Sequence, residues 1–345
     1  MNNNRHLLVI RLSAMGDVAM TVPVLKVLTE TYPQLKITVL TRAFFAPLFN
    51  RLENVDVHIA DVKDKHKGAA GLWRLYKEIR SIKVDAVADL HNVLRSNILK
   101  RFFVFGGIPF VQIDKGRKEK KELTSLKDKV FKPLKSTHQR YAEVFGKLGY
   151  TIDLALYRAL TKMALPKNAA TIMGDDFNKW IGLAPFAAFD GKMYPLHLME
   201  QVVEQLSETK MYKIALFGGG DKEKQLLDQW AAKYPLCSTI IGRLTFEEEL
   251  ALISNLDLML SMDSGNAHLA AIFGIPTITL WGVTHPYAGF PPFGQDPSHA
   301  ILSDREKYPL IPTSIYGNKF PTGYEAVMET IDPSEVTKKV NQLLM

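Results

Sequence analysis

The chain has 345 residues, of which 47% are hydrophobic and 23% are charged, and its formal net charge is +7 at pH 7. This length accommodates two domains of ordinary size, and the composition is that of a globular protein. No apolar stretch reaches the roughly 18 residues that a membrane-spanning helix needs, which argues against an integral membrane protein.

Redox and targeting signals are sparse. The N-terminal stretch lacks the long apolar core and small-residue cleavage site of a signal peptide, so we expect a cytoplasmic protein. The single cysteine, Cys237, has no partner within the chain for a disulfide. No Cys or His cluster shows metal-ligand spacing, so we do not expect structural zinc.

The first half of the chain alternates short apolar runs with helical patterns. Apolar runs predict strands at Leu7–Leu12, Ile37–Leu40 and Val84–Leu90, and helical spacing predicts helices around Leu72–Ile82 and His138–Leu148. Such alternation is typical of a parallel sheet that helices cover on both sides.

A basic segment follows these elements. Between Lys115 and Lys135 there are nine Lys or Arg residues against three acidic ones. The segment is either a solvated, mobile face or a site for an anionic partner such as membrane phosphates or acidic sugars. Nucleic acid is a weaker candidate, because Phe131 is the only aromatic residue among these charges.

The second half repeats the alternation after a stretch without clear period at Leu154–Pro166. Thr245 and Glu248 have the spacing of a capping box, and Tyr308–Tyr324 is rich in Pro, Gly and aromatic residues, which indicates a loop. We predict strands at Lys213–Phe217, Ser238–Ile241, Leu258–Met262 and Thr277–Trp281, and helices at Asn266–Phe273 and Pro333–Leu343. The chain is therefore predicted to be an α/β protein of two Rossmann-like domains, at residues 1–163 and 164–345.

The clearest candidate site lies where a predicted strand ends and a helix begins, at Met262-Asp263-Ser264-Gly265 with His268. Unpaired backbone N–H groups and the positive end of the helix dipole meet there, and the small residues Ser264 and Gly265 let a phosphate approach the main chain. This predicts a pyrophosphate cradle. The alternative is that Asp263 or Ser264 only caps the helix.

A second glycine-rich turn, Gly218-Gly219-Gly220-Asp221, also follows a predicted strand. It matches neither the dinucleotide fingerprint nor a P-loop, which argues against a dehydrogenase and against a Walker-type NTPase. Its exposed backbone suits contact with a nucleotide, but a plain strand-to-helix turn explains it equally well.

Asp17 ends the loop that leaves the first predicted strand, in Ser13-Ala14-Met15-Gly16-Asp17. Ligands of open α/β sheets bind at the carboxyl ends of the strands, so Asp17 is a candidate general base in a crevice. From these residues alone, a helix N-cap is the simpler interpretation.

Several of these segments together resemble the lipopolysaccharide heptosyltransferases of glycosyltransferase family 9. The most specific match is Met262-Asp263-Ser264-Gly265 with His268, followed by Gly282-Val283-Thr284-His285-Pro286. Further matches, spread over most of the chain, are Arg11-Leu12-Ser13-Ala14-Met15-Gly16-Asp17-Val18, Asp85–Leu90 with Leu94-Arg95-Ser96, and Arg140-Tyr141.

The resemblance implies a GT-B fold, in which two Rossmann-like domains face each other across a cleft. It also implies an inverting, metal-independent glycosyltransferase that moves a heptose from ADP-heptose to the acidic, lipid-linked acceptor of the lipopolysaccharide inner core. The N-terminal domain then binds the acceptor and the C-terminal domain binds the nucleotide sugar. No further cofactor, no metal and no nucleic acid is expected.

The resemblance also assigns site residues. It makes Asp17 the catalytic base. Donor contacts are expected from Lys192, Gly218, Gly219, Asp221, Glu223, Met262, Asp263, Ser264, Gly265 and His268. Acceptor contacts are expected from Ser13, Met15, Gly16, Arg95, Ser96, Lys115, Arg117 and Lys118. The basic segment further implies peripheral contact with the inner face of the inner membrane. A terminal helix that packs on the N-terminal domain is an additional expectation.

The chain departs from the family pattern ahead of Lys192. The family usually has Pro-Gly and small hydroxyl residues there, whereas this chain has Ala184-Pro185-Phe186-Ala187-Ala188-Phe189. The acidic residue that holds the donor ribose is open between Asp221 and Glu223. Two alternatives therefore remain: a GT-B enzyme for another nucleotide sugar, or a protein that binds a nucleotide sugar without turnover.

Overall fold

The computed structural model describes residues 5–174 and 179–345, and the chain divides into two compact units. The first unit comprises the chain up to Lys115 together with Ser136–Arg158. The second comprises Gly116–Lys135 and Ala159–Met345. The chain thus leaves the first unit at Gly116, returns at Ser136, and enters the second unit finally at Ala159.

The first unit is built on a five-stranded parallel sheet in the order β3-β2-β1-β4-β5. Its central strand β1 is almost wholly buried, as expected for a parallel strand covered on both faces. The strands are β1 (His6–Ile10), β2 (Lys36–Thr41), β3 (Val55–Ile59), β4 (Ala86–Asp89) and β5 (Phe110–Gln112).

Helices cover this sheet, and their ends follow ordinary capping rules. Ser136 accepts a hydrogen bond from the backbone N–H of Gln139, whose side chain returns to Ser136, so α6 begins with a capping box. The helices up to this point are α1 (Met15–Ala19), α2 (Thr21–Thr31), α3 (Gly68–Ser81), α4 (Leu94–Phe105), α5 (Arg117–Leu123) and α6 (Thr137–Lys147), of which α5 belongs to the second unit.

The second unit contains a six-stranded parallel sheet in the order β11-β10-β9-β6-β7-β8. Gly182 lies in the central strand β6, where a Cβ atom would come within 2.5 Å of Leu256 Cδ1. The strands are β6 (Trp180–Ala184), β7 (Lys213–Leu216), β8 (Cys237–Thr239), β9 (Leu258–Met262), β10 (Thr277–Trp281) and β11 (Ala300–Leu302).

The helices of the second unit pack around this sheet. The predicted capping box at the start of α10 is confirmed: Thr245 Oγ1 accepts from the N–H of Glu248, and Glu248 Oε2 accepts from the N–H of Thr245. The helices are α7 (Lys167–Met173), α8 (Leu196–Glu208), α9 (Asp221–Lys233), α10 (Phe246–Ile253), α11 (Gly265–Ile272) and α12 (Pro333–Leu344).

The terminal helix α12 packs on α8 within the second unit. Thr337 Oγ1 donates to Gln205 Oε1 at 2.8 Å, and Tyr212 Oη donates to Asn341 Oδ1 at 2.9 Å. Val336 and Val340 are fully buried against this unit's core. The terminal helix α12 therefore belongs to the second unit.

The basic segment 116–135 is an ordered part of the second unit. Leu123 is fully buried, and the N–H of Leu134 donates to the carbonyl of Tyr287 at 2.9 Å. Lys129 Nζ donates to the carbonyl of Pro312 at 2.7 Å, and the guanidinium of Arg305 lies 3.5 Å from the ring centre of Phe131. These contacts attach the segment to the second unit, while many of its charged side chains are exposed.

Among the described residues, no helix is both long enough and apolar enough to cross a bilayer. The two parallel sheets confirm the predicted α/β class with two Rossmann-like halves.

Candidate active site

Asp17 lies in α1, directly after the carboxyl end of β1. Its Oδ2 atom forms an ion pair with Arg11 Nη2 at 2.5 Å and accepts from the N–H of Ala14 at 3.4 Å. Its Oδ1 atom takes part in no hydrogen bond or ion pair with any described residue. The side chain is 30% exposed, so one carboxylate oxygen is oriented while the other is open to a reactant.

Buried polar groups hold this aspartate in place. Arg11 is 6% exposed, and its Nη1 atom donates to the carbonyl of Leu90 at 2.6 Å. The buried hydroxyl of Tyr141 donates to the backbone carbonyl of Asp17 at 3.2 Å. Burial, with the charges of Arg11 and Lys115, lowers the pKa of the neighbouring His91 to about 3, so this imidazole is neutral at physiological pH.

The residues expected to contact an acceptor are distributed between the two units. Ser13, Met15 and Gly16 are half-buried around Asp17, and Arg95 is exposed at the start of α4. Lys115 is close enough to His91 to lower its pKa. Arg117 and Lys118 lie exposed on α5, which belongs to the second unit.

Ser96 has a structural role in this arrangement. It is fully buried, and its hydroxyl exchanges hydrogen bonds of 3.0 Å with the backbone of Val93. The side chain therefore caps the start of α4, and its hydroxyl is occupied.

In the second unit, Lys192 and Asp263 form a nearly buried ion pair at the carboxyl end of β9. Lys192 Nζ lies 2.7 Å from Asp263 Oδ2 and donates to the Asp263 carbonyl at 3.0 Å. The same Oδ2 atom accepts from the hydroxyl of Thr284 at 3.0 Å. The two charged side chains are 16% and 6% exposed, so the carboxylate fixes the position of the lysine.

The helix α11 begins beside this pair. Ser264 occupies its N-cap position, with its Oγ atom 3.0 Å from Ser261 Oγ, and Gly265 is the first helical residue. The first turn therefore presents backbone N–H groups without a side chain at Gly265. Met262 is fully buried and receives the N–H of Tyr194 at its sulfur, and His268 is 7% exposed within α11.

Close backbone packing holds Lys192 in its position. The residue ends a short 3₁₀ turn, Asp190–Lys192, whose Gly191 carbonyl accepts from the N–H of Val283 at 2.9 Å. Gly317 has φ +79°, and a Cβ atom there would lie 2.5 Å from Lys192 Cγ. Only glycine permits the loop to lie against the lysine side chain in this way.

The glycine-rich turn after β7 is closed by an acidic side chain. Glu223 Oε2 accepts from the N–H of Gly219 at 2.7 Å, and Asp221 is exposed at the start of α9. An anion at this turn would meet the Glu223 carboxylate, so the turn is suited to hydroxyl groups and not to phosphate. A Cβ atom on Gly218 would lie 3.0 Å from the same Glu223 oxygen.

The divergent segment ahead of Lys192 keeps a defined position. Phe186 lies beside Gly218, because a Cβ atom there would come within 3.1 Å of Phe186 Cε2. The carbonyl of Phe189 accepts from the N–H of Lys192 at 3.0 Å. The segment thus still places the lysine, although it offers no hydroxyl group.

Three contributors to these sites were not predicted from the sequence: Arg11, Thr284 and Gly317. Arg11 directly follows β1, and Thr284 follows the short turn after β10. A polar residue at the end of an apolar strand is the signal that could have identified both. Gly317 lies in the predicted loop Tyr308–Tyr324, where no pattern distinguishes it from the other glycines. Within residues 5–174 and 179–345, no group of three or more His, Cys, Asp or Glu side chains is arranged to hold a metal ion.

Comparisons with known proteins agree with this architecture. A solved glycosyl transferase family 9 structure from Veillonella parvula has a TM-score of 0.74 at 20% identity, over 99% of this chain and 97% of that one. The structure of Escherichia coli ADP-heptose LPS heptosyltransferase II has a TM-score of 0.69 at 19% identity, over 98% of each chain. These likenesses show the fold, which is the expected GT-B architecture of two parallel α/β units.

Sequence comparison identifies the family. The lipopolysaccharide core heptosyltransferase OpsX of Haemophilus influenzae is 25% identical over 295 residues, which cover 82% of this chain and 80% of that protein. The model of glycosyltransferase family 9 (heptosyltransferase) matches residues 72–312, which is well over half of the chain. Because this match covers well over half of its residues, the chain is a glycosyltransferase and belongs to glycosyltransferase family 9, the heptosyltransferases.

Proposed function

We propose that this enzyme transfers a heptose from ADP-heptose to the inner core acceptor of lipopolysaccharide, with inversion at the anomeric carbon and without a metal ion. Membership of the heptosyltransferase family supports the sugar, and the similar Escherichia coli enzyme is named for ADP-heptose. In this proposal the first unit provides most of the acceptor contacts and the second unit binds the donor. The second unit includes residues 116–135 and 159–163, so its bounds differ from the division at residue 163 that the sequence predicts.

The single observation that carries the donor assignment is the Lys192–Asp263 pair at the start of α11. When the bond to the sugar breaks, the ADP leaving group gathers negative charge. Lys192 and the first N–H groups of α11 lie together and supply positive charge for a diphosphate. Asp263 is engaged by Lys192 and Thr284, so its role is to orient the lysine.

The glycine-rich turn after β7 is assigned to the nucleoside. Glu223 already accepts the N–H of Gly219, which leaves carboxylate lone pairs for the hydroxyl groups of a ribose. Asp221 is exposed beside it and is a second acceptor for the same hydroxyl groups.

Asp17 is assigned as the general base. Its open Oδ1 atom accepts the proton of the acceptor hydroxyl while that oxygen forms a bond to the anomeric carbon. The bond from the anomeric carbon to the ADP oxygen breaks in the same step, and ADP leaves with the electron pair. Attack from the face opposite to ADP inverts the configuration of the sugar.

Metal independence rests on the charges that the protein itself provides. The sequence contains no D-x-D motif, and the cation that faces the leaving group is Lys192. A lysine and a helix start together do the electrostatic work that a divalent ion does in metal-dependent transferases.

The acceptor is assigned to the residues around Asp17 and to nearby cations. The exposed Arg95, Arg117 and Lys118, with the half-buried Lys115, match the negative charges of a phosphorylated lipid and its acidic sugars. Because that acceptor is held in a bilayer, the protein works in the cytoplasm at the inner face of the inner membrane.

A direct assay tests the proposal. The purified chain is incubated with ADP-heptose and a deacylated, and therefore water-soluble, inner core acceptor, with and without EDTA, and the product is analysed by mass spectrometry and NMR. We expect a gain of one heptose with inverted configuration and an unchanged rate in EDTA. Transfer only from another nucleotide sugar contradicts the donor assignment, and a rate that EDTA abolishes contradicts metal independence.

A further inference from the structure

The outer surfaces of α3 and α4 in the first unit expose large apolar side chains. Trp73 is 46% exposed, Leu94 is 77% exposed and Phe105 is 91% exposed. The two helices lie side by side, since the rings of Trp73 and Phe102 pack edge to face with their centres 5.0 Å apart. Arg80 Nη1 also donates to the carbonyl of Gly106 at 3.3 Å. The exposed groups therefore belong to one continuous surface.

Helical spacing aligns the apolar groups of α4. Leu94, Ile98 and Phe105 recur at intervals of four and seven residues, which places them on one face. Ser96, Leu99 and Phe103 point the other way and are fully buried. Ile98 and Phe102 are half-buried and pack against the core, and the ring of Phe102 contacts Trp73 on α3. The apolar stripe of α4 is thus exposed at its two ends, Leu94 and Phe105, and half-buried between them.

Cations border this stripe on both helices. Arg95 and Arg101 are exposed on α4, which has no acidic residue, and Lys77 and Arg80 are exposed on α3. The one acidic residue of α3, Glu78, is paired with Lys65 at 2.9 Å and with His66 at 3.2 Å. We call this set the α3–α4 surface; it comprises Trp73, Lys77, Arg80, Leu94, Ile98, Arg101, Phe102 and Phe105.

Single exposed apolar residues are ordinary, but an aligned set with a cationic border is not. Aromatic and aliphatic groups of this size enter the headgroup region of a bilayer, where surrounding Lys and Arg meet lipid phosphates. An apolar protein partner would not require that the apolar groups be bordered by the cations Lys77, Arg80 and Arg101, on two helices whose one acidic residue is already paired. We propose that the α3–α4 surface docks this enzyme on a bilayer of anionic phospholipid.

The position of the surface within the first unit suits a membrane-bound acceptor. Strands β1 and β4 are parallel neighbours, so their carboxyl ends lie at the same edge of the sheet. The residues after β1 include Asp17, and α4 starts with Leu94 after β4. The stripe then runs along α4, a helix of 12 residues and about 18 Å. This inference rests on the proposed function in one respect: the lipid-linked acceptor explains why the enzyme would dock on a membrane.

Vesicle flotation tests the surface without donor or acceptor. The full chain is mixed with vesicles of phosphatidylcholine alone or of phosphatidylcholine with phosphatidylglycerol. We expect binding to the anionic vesicles, weakened by salt. Trp73→Ser with Phe105→Ser should lower the affinity at least about tenfold. Lys77→Gln with Arg101→Gln should lower it about 25-fold, at about fivefold for each charge.

Matched controls come from exposed residues elsewhere. Leu156, which is 56% exposed, is changed to Ser, and the exposed Lys147 and Lys338 are changed to Gln. These variants should bind vesicles like the parent. Equal losses in the control and surface variants, or no preference for anionic vesicles, would overturn the proposal. The proposal would also be overturned if Arg117→Gln with Lys118→Gln lost vesicle binding while the surface variants kept it, because the membrane contact would then lie on α5.

Turnover separates this inference from the proposed function. With the deacylated acceptor, the surface variants should retain the parent rate, because none of the four residues touches the reacting groups. A parent that binds vesicles but transfers no heptose would contradict the proposed function and leave the docking surface standing. Surface variants that lose turnover on the deacylated acceptor would show a role other than membrane docking and would overturn the inference.

Discussion

Two aspartates follow strands of parallel sheets, one in each unit, and their surroundings differ. Asp17 is 30% exposed and has one carboxylate oxygen without a described partner, whereas Asp263 is 6% exposed and is held by Lys192 and Thr284. Both side chains have a cationic partner. In the proposed function, the difference lies in which member of each pair faces a substrate: the aspartate in the first unit and the lysine in the second. On that proposal, the same residue type serves as a reactant in one unit and as a support in the other.

The strongest test of this contrast is Asp17→Asn. The amide keeps the size of the side chain but cannot accept a proton, so we expect kcat to fall by about 10²- to 10⁴-fold. Donor binding, measured as the rise in melting temperature with ADP-heptose, should be unchanged. Asp56→Asn, at an exposed residue, is the control. A variant that retains a tenth of the parental kcat would show that Asp17 is not the base.

The second test is Lys192→Gln, which should weaken ADP binding by about 10- to 100-fold because a charge-assisted contact is lost. It also leaves Asp263 buried without a cation, which costs about 3–5 kcal/mol of stability in such pairs. Adding Asp263→Asn removes the unpaired charge. The double variant should therefore recover its melting temperature but not its affinity for ADP, measured by calorimetry. If the double variant recovered both its melting temperature and its affinity for ADP, Lys192 would have a structural role only.

The third test concerns orientation at Asp17. Arg11→Lys keeps the positive charge, but a single ammonium group cannot reach both Asp17 and the Leu90 carbonyl with the geometry of the guanidinium. We expect kcat to fall about tenfold while KM for ADP-heptose stays constant. Arg158→Lys, at an exposed position, should have no effect. An unchanged kcat for Arg11→Lys would mean that Asp17 needs no fixed orientation.

The smallest expected effect concerns a third carboxylate. Burial raises the pKa of Glu249 on α10 to about 7, above its unfolded value. The folded protein then binds more protons than the unfolded chain between about pH 4.5 and 7, so this group lowers stability as pH rises through that window. Glu249→Gln should be more stable than the parent at pH 8 by about 1–2 kcal/mol, and equal to it near pH 4. A stability difference that does not change with pH would contradict this burial effect.

The sequence was most informative for buried central strands. Leu258–Met262 and Thr277–Trp281 were predicted with their observed bounds, because each is mostly apolar, fully buried and bounded by turn residues. The strand β3 was missed because it is a half-exposed edge strand, and β5 because it has only three residues. The central strand β6 was missed because Gly182 interrupts its apolar run, although that glycine is needed for packing against Leu256.

The site could be predicted in its reactive residues but not in their partners. Asp17 and Asp263 follow predicted strands, and this position identified them. Lys192 and Asp263 are 71 residues apart, and Tyr141 is 124 residues from Asp17, so only the folded chain brings these pairs together. The division into units was likewise hidden, because the contacts of Lys129 and Leu134 with the second unit arise from residues far along the chain.

The grouping of residues 116–135 with the second unit has a consequence for synthesis on the ribosome. This segment emerges more than a hundred residues before Tyr287 and Pro312, which later anchor it. Until then the segment that contains Leu123 lacks these two carbonyl partners. We expect the many lysines of this segment to limit aggregation of the nascent chain, because like charges repel each other.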